Sequence, residues 1–194
     1  MNRVIDRDKL AYCPSYCEEN IWHLCGALKD LFEVSYVILI SNQQQQVALW
    51  QQKKSPAEDL PIVWDYHVIL ATIDSENENE KRAQLIWDFD SRCPFPCELS
   101  NYLSMTAPLL PAHLKNFSPL FRVIESSDYL QFFSSNRSHM QKDGKWMSPP
   151  PTWPCIGDGH NLGQFIDMNN QQHGKVFSLA QLKNFFQTEK EKSQ

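Results

Sequence analysis

Three residue types that together perform nucleophilic catalysis occur in the order Cys17, His67 and Asp88. A thiolate can attack a carbonyl carbon, and an imidazole can take and return the proton. A carboxylate can fix the imidazole tautomer and stabilise its charged form. Each residue alone also fits an ordinary place in a core. The set predicts thiol-dependent acyl chemistry only if the fold brings the three side chains together.

The segment that positions Cys17 has the pattern of an amphipathic helix from about residue 16 to residue 31. Ser15 and Glu18 have the spacing of a capping box, with Ser15 as the N-cap. Cys17 is thereby placed in the first turn, where free N–H groups and the helix dipole favour a thiolate. The apolar residues that recur at helical spacing are Ile21, Leu24, Cys25, Leu28 and Phe32.

His67 lies in a stretch, residues 63–73, that is rich in β-branched and aromatic residues and contains neither Gly nor Pro. Such a stretch predicts a strand, and apolar residues on both of its faces place it in the middle of a sheet. Asp65 and His67 are two residues apart and therefore share a face of this strand. A histidine in so buried a strand needs a partner.

The partner of His67 is predicted on the following strand, residues 83–90, beyond a polar connection at 74–82 that suits an exposed hairpin loop. If the two strands pair antiparallel across a symmetric loop, Asp88 lies directly opposite His67 on the same face. Cross-strand neighbours are close enough for a carboxylate to hold an imidazole.

Composition excludes several classes of protein. The 194 residues include 42% hydrophobic residues, 12 Pro and only 6 Gly, which favours one globular domain spanning residues 1–194. A net charge of −5 without a basic stripe argues against a nucleic-acid partner. No apolar run approaches the roughly 18 residues of a membrane helix. The first residues lack an apolar h-region, so we do not expect a secretory signal. The six cysteines are therefore expected to be reduced, as in cytosol or nucleus.

The remaining segments alternate between short strand and helix patterns, which predicts an α/β (α+β) fold. The polar ends, residues 1–12 and 188–194, are expected to be loosely ordered. The other predicted elements are strands at 36–41, 47–50 and 121–124, helices at 127–133 and 178–186, a turn at 43–46, and a stiff extended wall over the sheet at 148–155.

The string Trp64-Asp65-Tyr66-His67-Val68 is the one that names the WDYHV-motif family, the protein N-terminal glutamine amidohydrolases. The sequence resembles this family over roughly residues 12–186. The family's catalytic triad corresponds to Cys17, His67 and Asp88, with no departure at these positions. Four further blocks match in the family's order: residues 16–22, 87–97, 137–140 and 149–155.

The resemblance implies a monomeric α/β enzyme with a papain- or transglutaminase-like core. In such a core a mainly antiparallel sheet packs against a helix that carries the nucleophilic Cys at its N-terminus. The implied reaction converts an N-terminal glutamine of a protein or peptide to glutamate, through a γ-glutamyl thioester and with release of ammonia. It would feed the arginine branch of the N-degron pathway, in cytoplasm and nucleus. No metal or organic cofactor is implied.

An enzyme of this kind must read the α-ammonium group of its substrate, and a carboxylate is the best acceptor. Glu19, Asp65 and Asp90 are candidates because they are close to the triad in sequence. His139, in a loop that matches a family block, is a candidate wall of the pocket. Three of the four have a structural alternative: a solvated helix face for Glu19, a local hydrogen bond for Asp65, and ordering of its own loop for His139.

Three other functions remain open at this stage. The first is a zinc-binding module, because two pairs of cysteines are spaced by four residues: Cys13 with Cys17 and Cys93 with Cys97. Structural zinc sites usually have more closely spaced pairs. The same triad would also serve a peptidase or an acyl-transferring transglutaminase. A non-catalytic interaction module could use the proline-rich residues 149–154 as a ligand.

Overall fold

A six-stranded antiparallel sheet forms the centre of the molecule. The computed structural model describes residues 5–74 and 83–191, so the connection predicted at 74–82 lies almost entirely outside the described residues. The strands are β1 (Val34–Ser41), β2 (Val47–Leu49), β3 (Ile62–Trp64), β4 (His67–Asp74), β5 (Ala83–Trp87), β6 (Cys97–Glu98), β7 (Leu120–Glu125), β8 (Gln141–Lys142), β9 (Lys145–Trp146) and β10 (Lys175–Phe177). The main sheet has the order β10-β7-β1-β4-β5-β6, and all its neighbours are antiparallel.

Helices cover both faces of this sheet, which confirms the α+β class. They are α1 (Cys17–Leu28), α2 (Leu99–Thr106), α3 (Ser126–Phe132), α4 (Leu162–Ile166) and α5 (Leu179–Glu191). Alternate residues of the central strands point to opposite layers. Leu39 and Val68 pack in the layer of α1, α3 and α4, whereas Ile38 and Ile69 pack in the layer of α2 and α5. Burial of each such side chain stabilises the fold by about 1.5–3 kcal/mol.

The predicted strand 63–73 is in fact two strands. Ile62–Trp64 pairs with Val47–Leu49 in a small separate sheet, and the central strand begins at His67. The break occurs because Asp65 makes local hydrogen bonds in place of a ladder. Its Oδ1 accepts from the backbone N–H of Tyr66 at 2.9 Å, and its carbonyl accepts from the Ser41 hydroxyl at 2.6 Å. Asp65 and His67 therefore do not share a strand face.

The start of α1 confirms the position predicted for Cys17, which is the first residue of the helix, but not the predicted capping box. Tyr16 is the N-cap and makes no side-chain cap hydrogen bond. Ser15 adopts a left-handed backbone with φ of 71° and accepts a hydrogen bond from Lys54 Nζ at 2.8 Å. The Glu18 side chain is fully buried beside Tyr66 instead of turning back to the helix end.

Both chain ends make contacts within the residues that the structure describes; of the segments expected to be loosely ordered, residues 1–4 and 192–194 lie outside those residues. The Tyr12 hydroxyl donates to Asp90 Oδ1 at 2.7 Å, and Arg7 donates to the carbonyl of Phe89. Helix α5 continues to Glu191, and the Tyr36 hydroxyl donates to Glu189 at 2.9 Å. Over residues 5–74 and 83–191, no helix is long and apolar enough to cross a membrane.

Candidate active site

A cavity of about 320 Å³ lies where the start of α1 meets the start of β4. The structure brings most of the predicted site residues to its wall: Cys17, Asp65, His67, Asp90 and His139. Apolar side chains complete the wall, among them Trp64, Met140, Met147, Leu162 and Ile166. The cavity thus combines a candidate nucleophile, a candidate base and several charged groups with an apolar lining.

Cys17 is half-buried at the N-terminus of α1, and its environment favours the neutral thiol. Burial raises the pKa of the Cys17 thiol well above its ordinary value, and the charges of Glu18 and Asp90 raise it further. A hydrogen bond from the backbone N–H of Val68 acts in the opposite direction but does not outweigh these effects. The lowering of the Cys17 pKa that the helix start predicts is therefore outweighed by burial and by the neighbouring charges.

His67 is the first residue of β4 and is 1% exposed. Its Nε2 lies 3.0 Å from Asp88 Oδ1, and its ring stacks on Trp64 with centroids 5.8 Å apart. Burial alone would lower the pKa of His67, but the charge of Asp88 and its contact with the ring outweigh burial and raise it. Because Nε2 faces Asp88, Nδ1 is the ring nitrogen left for proton exchange in the cavity.

Asp88 lies just beyond the end of β5, behind His67, and is fixed by two further donors. The Tyr102 hydroxyl donates to Oδ2 at 2.7 Å, and the backbone N–H of Asp90 donates to Oδ1 at 2.9 Å. Burial would raise the pKa of Asp88, but His67, Tyr102 and the Asp90 N–H together hold it below its ordinary value. The sequence did not indicate Tyr102, because nothing in an isolated tyrosine of a short helix points to a carboxylate 14 residues away.

The structure places Glu19 outside the cavity wall, in a buried ion pair. Arg137 donates to both Glu19 carboxylate oxygens, at 2.9 and 2.8 Å, and the Trp153 indole donates to Oε2 at 2.7 Å. Glu19 is neither a solvated helix residue nor free to accept a substrate ammonium group. Arg137 also donates to the carbonyls of Pro151, Trp153 and Pro154. The 148–155 segment therefore lies against the start of α1, not over the sheet.

Glu18, which the sequence pattern assigned to a helix cap, is adjacent to the nucleophile in sequence and also contacts it in space. It is 0% exposed, and its Oε2 accepts from the Tyr66 hydroxyl at 3.0 Å and from the Cys17 thiol at 3.7 Å. His139 Nε2 lies 3.3 Å from the Glu18 Oε1 atom, and the His139 ring stacks on His160. The available signal was spacing: Glu18 precedes Ile21 by three residues and Cys25 by seven, which places it on the apolar stripe of α1.

The side chains of His67, Asp88 and Asp90 offer possible metal-ligand atoms within 4.8 Å of one another. In the described part of the chain they are the one such set of three or more His, Cys, Asp or Glu residues. Their atoms already have protein partners, since Asp88 contacts His67 and Tyr102, and Asp90 accepts from Tyr12. The set contains no cysteine, so the cysteine pairs of the zinc alternative do not converge on a site there.

Comparison with known proteins shows the family of this chain. A family profile described as N-terminal glutamine amidase matches residues 12–186. A protein N-terminal glutamine amidohydrolase of Homo sapiens is 37% identical over 189 residues, covering 93% of this chain and 89% of the relative. A relative of the same name from Danio rerio is 38% identical over 183 residues, covering 89% of this chain and 87% of the relative. Another from Arabidopsis thaliana is 34% identical over 215 residues, covering 94% of each chain. The chain therefore belongs to the N-terminal glutamine amidase family.

Proposed function

We propose that this protein is a thiol amidohydrolase that converts the N-terminal glutamine of proteins or peptides to glutamate and releases ammonia. The observation that carries the proposal is the arrangement of one cavity. Cys17 and His67 are on its wall, and Asp88 lies 3.0 Å from the imidazole behind it. Membership of the N-terminal glutamine amidase family, and the names of the relatives, support the choice of substrate.

The first step is attack of Cys17 Sγ on the side-chain amide carbon of the substrate. Because burial favours the neutral thiol, proton transfer to His67 Nδ1 accompanies the attack and does not precede it. Asp88 stabilises the imidazolium that forms and keeps Nε2 protonated. The raised pKa of His67 makes its neutral form a stronger base for this proton transfer.

The oxyanion that develops on the amide oxygen needs donors. The first N–H groups of a helix have no partner within the helix. At the start of α1 the Tyr16 side chain makes no cap hydrogen bond that would satisfy them. These N–H groups therefore suit the oxyanion of a substrate held at Cys17.

The intermediate then collapses and the enzyme is regenerated. His67 returns its proton to the amide nitrogen, and the C–N bond breaks. Ammonia is released, and a γ-glutamyl thioester remains on Cys17. His67 next takes a proton from water as the water oxygen attacks the thioester carbon. The C–S bond then breaks, the sulfur takes that proton back from His67, and glutamate is released with Cys17 again a thiol. One water is consumed and one ammonia is formed, with no redox change and no cofactor.

Selectivity for the chain terminus requires an acceptor for the α-ammonium group. Asp65 and Asp90 are the predicted carboxylates that line the cavity. Asp65 is exposed, whereas Asp90 is nearly buried and already accepts from Tyr12. We assign this role to the pair and expect the enzyme to act as a monomer in cytoplasm and nucleus. Its glutamate product would enter the arginine branch of the N-degron pathway.

The proposal is tested by ammonia release, with mass confirmation of the conversion, from two peptides. One begins with glutamine, and the other has the same sequence but is N-acetylated. We expect turnover of the free peptide alone and complete loss of turnover in Cys17→Ala. Turnover of both peptides would indicate a general glutaminyl thiol enzyme or a transglutaminase. No turnover by folded protein would contradict the proposal and favour an interaction module.

A further inference from the structure

The Glu18 carboxylate, which the mechanism above does not use, lies next to the reacting atoms. Its Oε2 is 3.7 Å from Cys17 Sγ, and the residue is 0% exposed. A buried carboxylate is costly unless it is hydrogen-bonded, and the Tyr66 hydroxyl supplies one donor to Oε2. In the ligand-free protein the Cys17 thiol supplies another. The geometry therefore couples the hydrogen bonding of Glu18 to the state of the nucleophile.

We propose that Glu18 is a catalytic residue that reads the carboxamide group of the substrate: Oε2 accepts a hydrogen bond from the side-chain NH2 of glutamine. The proposal rests on the proposed function and deepens it. It also assigns to Glu18 the rejection of the product, because the γ-carboxylate of glutamate carries no proton to donate and repels the Glu18 charge.

Distances near the nucleophile support this role. In a reactive complex the amide carbon lies about 3–3.5 Å from the attacking sulfur. The amide nitrogen is about 1.33 Å from that carbon. An acceptor 3.7 Å from Sγ can therefore lie within hydrogen-bond distance of that nitrogen when the carboxamide NH2 is turned toward Glu18. The α-ammonium nitrogen lies four bonds from the amide carbon, so a carboxylate farther along the cavity wall, such as Asp65, suits it better.

The substrate also replaces a hydrogen bond that Glu18 loses when the nucleophile reacts. When Cys17 gives up its proton and bonds to carbon, Glu18 Oε2 loses the S–H donor that it has in the ligand-free protein. The substrate NH2 replaces that donor. When His67 protonates this nitrogen, positive charge develops on it, and the Glu18 carboxylate stabilises the charge until the C–N bond breaks. After ammonia has left, Glu18 faces only the thioester and then the product carboxylate.

The surroundings keep Glu18 in place for this role. Tyr66 precedes His67 in the chain, and His139 Nε2 lies 3.3 Å from the other carboxylate oxygen. Both residues line the cavity. His139 therefore influences substrate selection by positioning Glu18. The sequence had predicted only that His139 lines the pocket.

The test measures binding by calorimetry at neutral pH, in the Cys17→Ala background to prevent turnover. Three peptides differ only in their first residue: glutamine, glutamate, and a glutamine analogue in which a methyl ketone replaces the carboxamide. We expect the glutamine peptide to bind about 10- to 100-fold more tightly than either of the others. Adding Glu18→Gln should reduce the preference for glutamine over glutamate at least about tenfold, mainly through tighter binding of the glutamate peptide.

Asp65→Asn in the same background is the matched control, because it removes one negative charge from the cavity wall without touching Glu18. It should change the affinity for the glutamine and glutamate peptides to a similar extent. A glutamine preference that survives Glu18→Gln would overturn the proposal. A second contrary outcome is that Glu18→Gln weakens the binding of the glutamine and glutamate peptides equally and leaves the binding of their N-acetylated forms unchanged. That result would make Glu18 the acceptor of the α-ammonium group.

Two measurements keep the conclusion separate from folding and from the proposed function. If Glu18→Gln does not fold, the three peptides still decide the matter on Cys17→Ala alone, because equal binding of the glutamine and glutamate peptides would contradict the inference. Ammonia release by the unmodified protein is measured in parallel. Its absence counts against the proposed function, whereas normal release with an unchanged preference counts only against Glu18.

Discussion

His67 Nε2 lies 3.0 Å from Asp88 Oδ1 although the two residues are not cross-strand partners. In the pairing of β4 with β5, Leu70 lies opposite Trp87. This register is shifted by two residues from the predicted one, in which a symmetric loop places Asp88 opposite His67. A shift of two residues returns every side chain to the face that it would otherwise have. Asp88 therefore still reaches His67, but as a diagonal neighbour just beyond the end of the strand.

This contact predicts the effect of Asp88→Asn. The amide keeps the shape of the carboxylate but cannot stabilise an imidazolium and can hold the wrong tautomer. In a serine protease the equivalent change lowers kcat by about 10⁴-fold. We expect kcat for the N-terminal glutamine peptide to fall by about 10³- to 10⁴-fold with KM little changed, measured by the initial rate of ammonia release. A kcat within tenfold of the unmodified enzyme would show that Asp88 does not support His67.

Tyr102→Phe tests the hydroxyl that fixes Asp88 from the side away from the histidine. Removing a buried hydrogen bond to a charged group should lower the free energy of unfolding by about 1.5–3 kcal/mol. The Tyr102 hydroxyl also helps to hold the pKa of Asp88 below its ordinary value. A depressed carboxyl pKa stabilises the fold above the unfolded-state pKa of about 3.9, and this stabilisation is lost as pH falls through the folded-state pKa. As the pH is lowered, the Tyr102→Phe variant should therefore lose stability and activity at a higher pH than the unmodified protein does. Urea denaturation measures the stability, and ammonia release measures the activity.

The matched control is Tyr36→Phe, which removes a similar hydrogen bond from a buried tyrosine to Glu189, far from the triad. It should cost stability without moving the acid limb of activity. Equal displacement of that limb in both variants would assign the effect of Tyr102 to general destabilisation.

The sequence sufficed to predict that Cys17, His67 and Asp88 come together, because each lies in or next to an element with a strong local signal. The apolar spacing after Cys17 predicts its helix, and the β-branched run after His67 predicts its strand. Because side chains alternate between the two faces of a strand, the contact of His67 with Asp88 is kept even though the predicted register was wrong by two residues. Chain position thus determined which side chains meet, even where the pairing was displaced.

The sequence did not separate the roles of Glu18 and Glu19. Both were treated as polar residues of a helix start, yet both are 0% exposed. Their partners, Tyr66 for Glu18 and Arg137 for Glu19, come from segments 48 and 118 residues away. Pairings over such distances depend on the tertiary fold, so neither periodicity nor a cap pattern predicts them. The break before His67 has a similar origin, since it depends on where the hydroxyl of Ser41 lies.

Glu19→Gln should damage stability and not chemistry. Removing one charge of a buried ion pair leaves Arg137 uncompensated, at a cost of about 3–5 kcal/mol in the free energy of unfolding. Because Arg137 also holds the carbonyls of Trp153 and Pro154, the 148–155 segment should become more sensitive to proteolysis. Urea denaturation and limited proteolysis measure these effects. A rise in KM for the glutamine peptide with unchanged stability would instead restore Glu19 as a substrate-binding residue.

Alkylation of Cys17 tests the state of the nucleophile. Burial and the charges of Glu18 and Asp90 raise its pKa, so the ligand-free protein carries a neutral thiol at neutral pH. Since only the thiolate reacts, iodoacetamide should modify Cys17 slowly at pH 7, and the rate should keep rising beyond the ordinary thiol pKa of about 8.5. Glu18→Gln removes a charge that raises the pKa, so it should move this profile to lower pH. Peptide mass mapping follows Cys17, with the exposed Cys155 as an internal check that the reagent is active. A fast rate that is independent of pH between about 6 and 8 would show a preformed thiolate, as the helix start alone predicts.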